Sequence, residues 1–185
     1  MDNRTRILDC ALQLFAARGY DAVGIQEVVE TAGVTKPTLY HYFNSKRGLL
    51  DALLETQFAD FAQTLRQSAA PADNLPIVLE NIIRVYFNFA LQQPQFCRMR
   101  LSMYFAPPDS EPNQAVLAYT TEQYEIIENL FGQALSHMFN RRQMYAAAFI
   151  GTIDTYIGLF LNRKVELNDA LARQAAHQFM HGIYS

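Results

Sequence analysis

The 185-residue sequence has no tryptophan, two cysteines, eight glycines and seven prolines. Two thiols, Cys10 and Cys97, are too few for a disulfide framework and are not spaced for a metal, so they read as reduced thiols of a cytoplasmic protein. So little glycine and proline excludes collagen-like and linker-like chains. Charge is sparse at 18%, and no run reaches the roughly 18 apolar residues that cross a bilayer. The N-terminus, MDNRTRILDC, mixes charges where a secretory signal needs a continuous apolar stretch. What is present is apolar: 50% of residues are hydrophobic and 12% aromatic. A chain of that composition buries enough surface to offset its ordering entropy, which excludes disorder.

The formal charge of −3 is unevenly spread. Residues 1–50 carry six basic and five acidic groups, and the remainder nine basic and thirteen acidic. A slightly basic head on an acidic body implies two tasks in one chain.

Apolar residues recur at three- and four-residue steps and strand alternation is absent, which predicts an all-α chain of about nine helices. The first three are expected near 3–17, 25–31 and 36–43, with Ile7, Leu8, Ala11, Leu12 and Phe15 on the inner face of the first. Gly19 and Gly33 are stop signals, and Thr35 caps the third helix with Pro37 in its first turn. The fourth helix is capped by Ser45, and the Ala/Pro/Asp break at 69–74 falls after it. This predicts a DNA-binding domain over 1–46, joined rigidly through the fourth helix to a larger helical domain over 47–185. Within the latter, helices are expected from Asn74, over about 95–105, from Ser110 to Met138, and over about 142–163 and 168–182.

Two short helices joined by a Gly-containing turn form a helix-turn-helix pattern, whose second helix enters the major groove. On the third helix Leu39 and Phe43 turn inward, while Pro37, Thr38 and His41 face outward, flanked by Tyr40 and Tyr42. That small, polar and aromatic face suits base edges, thymine methyls and phosphates. Lys36 can reach a guanine edge or a phosphate, and Lys46, in the first turn of the fourth helix, a phosphate. The rival reading is an all-helical protein-interaction module whose Tyr/His face grips a protein partner.

The stretches A-x-x-L-F-A-x-x-G-Y in the first helix and A-G-V-T-K-P-T-L-Y-H-Y-F-N-S-K around the third resemble the DNA-binding domain of TetR-family transcriptional regulators. The likeness covers residues 4–54. It implies a homodimer with two recognition helices and a ligand-responsive helical body. By the same resemblance Lys36, Pro37 and Tyr40 touch bases, Thr38, His41, Tyr42 and Lys46 take phosphate or mixed contacts, and Thr35 joins them at the cap. Two departures stand out. Val23-Gly24 replaces the usual Thr or Ser that opens the second helix, so a capping hydroxyl is missing. Gln26 stands where Arg or Lys often follows; glutamine can still read adenine, but the phosphate grip should be weaker.

In the body, Tyr86, Phe89, Phe96, Met99, Met103, Tyr104, Tyr119 and Tyr124 are candidates to line a cavity for a small, largely apolar effector, the alternative being ordinary core. Asp154 lies on an otherwise apolar stripe of the eighth helix and is expected to be buried. It is read either as a structural hydrogen-bond partner of Arg84, Arg100 or a Tyr hydroxyl, or as an effector anchor. Ala148, Gly151, Thr155 and Gly158 align on that helix, and small residues on one face let another helix approach. With Leu171, Ala175 and Phe179 of the ninth helix they are candidates for a two-fold seam. His177 and His181 have two-ligand spacing but no third ligand, so no metal is expected. No catalytic motif and no cofactor site is apparent. The expectation is a homodimeric repressor that binds a (pseudo)palindromic operator and is released by its effector.

Overall fold

A computed structural model describes residues 2–70, 74–134 and 140–182. The middle of the expected break at 71–73, and the expected end of the seventh helix with Leu135 and Met138, lie outside the described residues. Among the described residues there are nine α-helices and no strand: α1 (Asn3–Arg18), α2 (Ile25–Ala32), α3 (Lys36–Phe43), α4 (Lys46–Ser68), α5 (Leu75–Gln92), α6 (Pro94–Tyr104), α7 (Glu111–Ala134), α8 (Arg142–Leu161) and α9 (Asp169–His181). The chain is all-α, as its periodicity requires.

The helix ends follow local chemistry. Asp2, Thr35, Asn74 and Asn168 each cap a helix by accepting a backbone N–H three residues on. Ser45 does the same for Gly48 at 2.9 Å, at the start of α4. Gly33 adopts the left-handed conformation (φ 62°) and closes α2, its N–H reaching Glu30 O while Val34 N–H reaches Val29 O. Gly24 caps α2 with no side-chain hydrogen bond.

The chain divides into two compact units. The first comprises Met1–Ala59 with Gln95–Ala118, larger than the 1–46 segment expected to hold the DNA contacts. In it α1, α2 and α3 pack on one another. Ile7, Leu8, Ala11, Leu12 and Phe15 of α1 are buried, as are Val28 and Val29 of α2 and Leu39 and Phe43 of α3. Leu49, Leu50, Leu53 and Leu54 extend this core along α4, and Phe58 meets Phe96 edge-on at 5.1 Å. Gly48 is a close-approach glycine: a Cβ there would overlap the carbonyl oxygen of Phe43, so only glycine lets α4 start directly behind α3.

The second unit comprises Asp60–Pro94 with Tyr119–Ser185, where α5, α8 and α9 pack together. Phe131, Phe149 and Phe179 form one aromatic cluster, with Phe149 and Phe179 centroids 5.0 Å apart. By length and composition alone α8 is long and apolar enough to cross a membrane. A search for unbroken apolar runs misses this, because Gly151, Thr152, Asp154 and Thr155 interrupt the pattern. Its inner face (Ala146, Phe149, Ile150, Ile153, Ile157) is buried, yet only 28% of its most apolar stretch is enclosed.

Candidate nucleic-acid interface

The third helix is fixed from below and open above. Leu39 is 0% and Phe43 3% exposed, whereas Tyr40 and Tyr42 are 43% and 40% exposed. Burying two large apolar groups on one side of an eight-residue helix sets its rotation and leaves the other side in water. That outer side carries Lys36, Pro37, Tyr40, His41 and Tyr42, all exposed, with Thr38 half-buried. Thr35 spends its hydroxyl on the cap: it lies 2.9 Å from Thr38 Oγ1 and accepts from Thr38 N–H. The His41 and Tyr42 rings meet edge-on at 5.3 Å, which stiffens the C-terminal end of this face. Gln26 is exposed on α2, its amide donating to Glu30 of the same helix. Arg18 pairs with Glu27 and so links α1 to α2.

Lys46 is placed differently from a free phosphate anchor. Its Nζ lies 4.0 Å from the centroid of the Tyr20 ring, a cation–π contact. Burial draws the Lys46 pKa below the ordinary lysine value, while the Asp21 and Glu111 carboxylates oppose that shift. The Tyr20 hydroxyl in turn donates to Glu111 Oε2 at 2.6 Å. Burial, reinforced by Glu111, holds the Tyr20 hydroxyl far above the usual tyrosine range, so it remains a donor. Arg47 reaches the Glu111 carbonyl oxygen at 3.4 Å and Asp51 at 2.8 Å. Tyr20, Lys46, Arg47 and Glu111 therefore form one node at the start of α4, closed by the first residue of α7. Sequence reading found Lys46 but not the other three, because Glu111 stands 91 residues from Tyr20.

The candidate effector residues fall in both units. Phe96, Met99 and Met103 are buried in the first, with Tyr104 half-buried. In the second, Tyr86 is buried and Phe89, Tyr119 and Tyr124 are half-buried. Asp154 is half-buried rather than enclosed, because its stripe runs along the border between the packed and open faces of α8. Arg84 pairs with Glu80 at 2.6 Å and with Asp169 at 3.0 Å.

Of the candidate seam residues, Ala148, Gly151 and Thr155 are exposed, and Gly158 and Leu171 half-buried. Ala175 turns inward and is 0% exposed; half-buried Phe179 belongs to the aromatic cluster of its own unit. The open stripe therefore lies on α8. Among the described residues, a Cβ added at Gly151 or Gly158 would meet nothing within 4 Å. His177 and His181 face each other with ring centroids 4.6 Å apart, and no three metal-ligating side chains gather among the described residues.

A three-helix core that presents its third helix outward, with its capped N-terminus and lysine free, is a helix-turn-helix module. Residues 7–53 match the family model described as bacterial regulatory proteins, tetR family. This helix-turn-helix segment is thus similar to that of TetR-family regulators, and the chain as a whole shares the fold of solved structures described as TetR-family regulators. The chain is 31% identical over 98 residues to the HTH-type transcriptional activator FasR of Mycolicibacterium smegmatis, covering 53% of this chain and 45% of that protein. It is 32% identical over 80 residues to the HTH-type transcriptional repressor KstR2 of Rhodococcus jostii, covering 43% and 39%. The chain thus spans less than half the length of these curated relatives. The crystal structure of the transcriptional regulator FadR from Bacillus subtilis in complex with stearoyl-CoA matches with a TM-score of 0.81 at 19% identity, covering 97% of this chain and 99% of that one. At that identity the likeness is one of fold.

Proposed function

We propose that the protein is a homodimeric, effector-responsive transcription regulator of the cytoplasm that binds a (pseudo)palindromic operator. The observation that carries this reading is the outward face of α3, where Lys36, Pro37, Tyr40, His41 and Tyr42 are open to solvent above a closed core. Lys36, Pro37 and Tyr40 read base edges. Thr38, His41, Tyr42 and Lys46 hold phosphates, with Thr35 and Gln26 at the margins. The lack of a hydroxyl at Gly24 leaves the α2 N-terminus with backbone donors only, so the phosphate grip is modest. Selection of bound fragments from random duplex DNA tests this: two inverted half-sites are expected, with centres about one helical turn or a multiple of it apart. Recovery of no sequence, or of a single unpaired half-site, would defeat the reading.

Dimerisation through α8 is supported by its open stripe of Met144, Ala147, Ala148, Gly151, Thr155 and Leu159. Each glycine costs about 1 kcal/mol of helix stability relative to alanine, and among the described residues nothing lies within 4 Å of where its Cβ would stand. The approach of a partner helix does use it. The expected sign of regulation is repression, with the effector releasing DNA. KstR2 is named a repressor and FasR an activator, so a reporter transcribed from the selected operator is the discriminating measurement. Its output should fall when the protein is supplied. A largely apolar effector is supported by the stearoyl-CoA in the FadR structure. Such a ligand shifts DNA affinity only by binding the two states unequally.

The Tyr20 node gives this scheme a measurable lever. In binding a phosphate Lys46 must leave the Tyr20 ring, and the Glu111 carboxylate opposes that move. Glu111→Gln keeps an acceptor for the Tyr20 hydroxyl but removes the charge. Operator affinity at low salt should rise about three- to tenfold with the salt slope kept, whereas Lys46→Ala should flatten that slope by about one phosphate contact. Anisotropy titrations over a salt series check this; a slope unchanged by Lys46→Ala would show that Lys46 makes no phosphate contact.

A further inference from the structure

Gln123 of α7 is 2% exposed, as is Tyr86 of α5. The Tyr86 hydroxyl donates to Gln123 Oε1 at 3.1 Å, which pins the amide and directs its nitrogen away. That nitrogen, Nε2, is buried and has no hydrogen-bond partner among the described residues. A buried donor left unmade costs about 1–3 kcal/mol, and native interiors seldom keep one without a use. The surroundings are aromatic: the Phe61 ring lies 4.9 Å from Tyr86 and 4.6 Å from Phe89, centroid to centroid. A trapped water needs about three polar partners, and the Phe61 and Phe89 rings supply none.

We propose that Gln123, positioned by Tyr86, is the polar anchor of the effector site, and that the effector presents a neutral carbonyl oxygen to Nε2 from an otherwise apolar body. This rests on the effector-responsive reading above and narrows the class of ligand. A carboxylate or phosphate is disfavoured because one neutral amide cannot offset the cost of desolvating a full charge. A hydroxyl fits less well, since it brings a donor hydrogen that needs its own partner. A ketone, ester or thioester carbonyl brings acceptors alone. The rings of Phe61, Tyr86 and Phe89 cover the hydrocarbon on either side.

The test is calorimetric titration of the full chain, without DNA, using methyl ketones from 2-heptanone to 2-pentadecanone and the matched n-alkanes. The best ketone should bind at least about tenfold more tightly than its alkane. Gln123→Leu should abolish that preference while leaving the alkane bound as before. Should the single variant fail to fold, Tyr86→Phe combined with Gln123→Leu removes both ends of the hydrogen bond, keeps the packing volume, and must lose the same preference. Equal binding of ketone and alkane, no ketone binding by the wild-type protein, or a preference that survives both variants overturns the assignment. Duplex binding by the wild-type protein is read separately. A ketone preference that depends on Gln123 in a protein that retains no DNA supports the anchor and removes the regulator reading.

Discussion

Gly151→Arg should yield a monomer whose affinity for a two-half-site operator is lower by about two to four orders of magnitude. Gly151 lies in the middle of the open face of α8, and a Cβ added there meets nothing within 4 Å among the described residues. The substitution therefore leaves the isolated fold intact and even removes the helix penalty of glycine. Its whole effect falls on a helix that approaches from outside, where a charged guanidinium would be buried against its symmetry mate without a partner. Two linked recognition helices gain an effective-concentration advantage of about 10²–10⁴ over one, and a monomer forfeits it. Light scattering reads the mass and anisotropy the affinity. On a duplex with a single half-site, wild type and variant should bind equally. A variant that remains a dimer would place the subunit contact away from α8.

Lys36→Ala should lower affinity for the selected operator by about ten- to a hundredfold while barely changing affinity for unrelated duplex. Lys36 opens α3, is exposed, and stands beside the Thr35 cap, the end of a recognition helix that reaches base edges. A side chain that reads a base contributes about 1–3 kcal/mol of discrimination at that position. One that touches only phosphate weakens all sequences alike and flattens the salt slope. Competition between the operator and single-position variants separates the two. Preference should relax at one base pair per half-site, in mirror-related positions. If Lys36→Ala leaves both affinity and preference intact, α3 does not read the sequence.

Features decided within a few residues were legible in the amino-acid order. Ile7, Leu8, Ala11, Leu12 and Phe15 are the residues α1 buries, because a three- and four-residue repeat needs no distant information to define a face. The caps at Thr35, Asn74 and Asn168 and the left-handed stop at Gly33 are equally local. What escaped depends on packing between distant segments. Ala175 sits on a helix flanked by both α5 and α8, and those neighbours turn it inward. Asp154 is half-buried because only one side of α8 is covered. Gly48 resembles any helical glycine until the Phe43 carbonyl is seen behind it. Gln123 is a polar residue in an amphipathic helix, and only the position of Tyr86, 37 residues away, marks its amide as interior.

The two glycines of α8 have an outcome beyond the geometry of assembly. Were copies to pair through α8, a chain with that apolar face open would be least secure when dilute, and its melting point would be a property of abundance as much as of sequence. Scarce copies would then unfold more readily than abundant ones, so that the working amount of the protein has a floor set by its own folding.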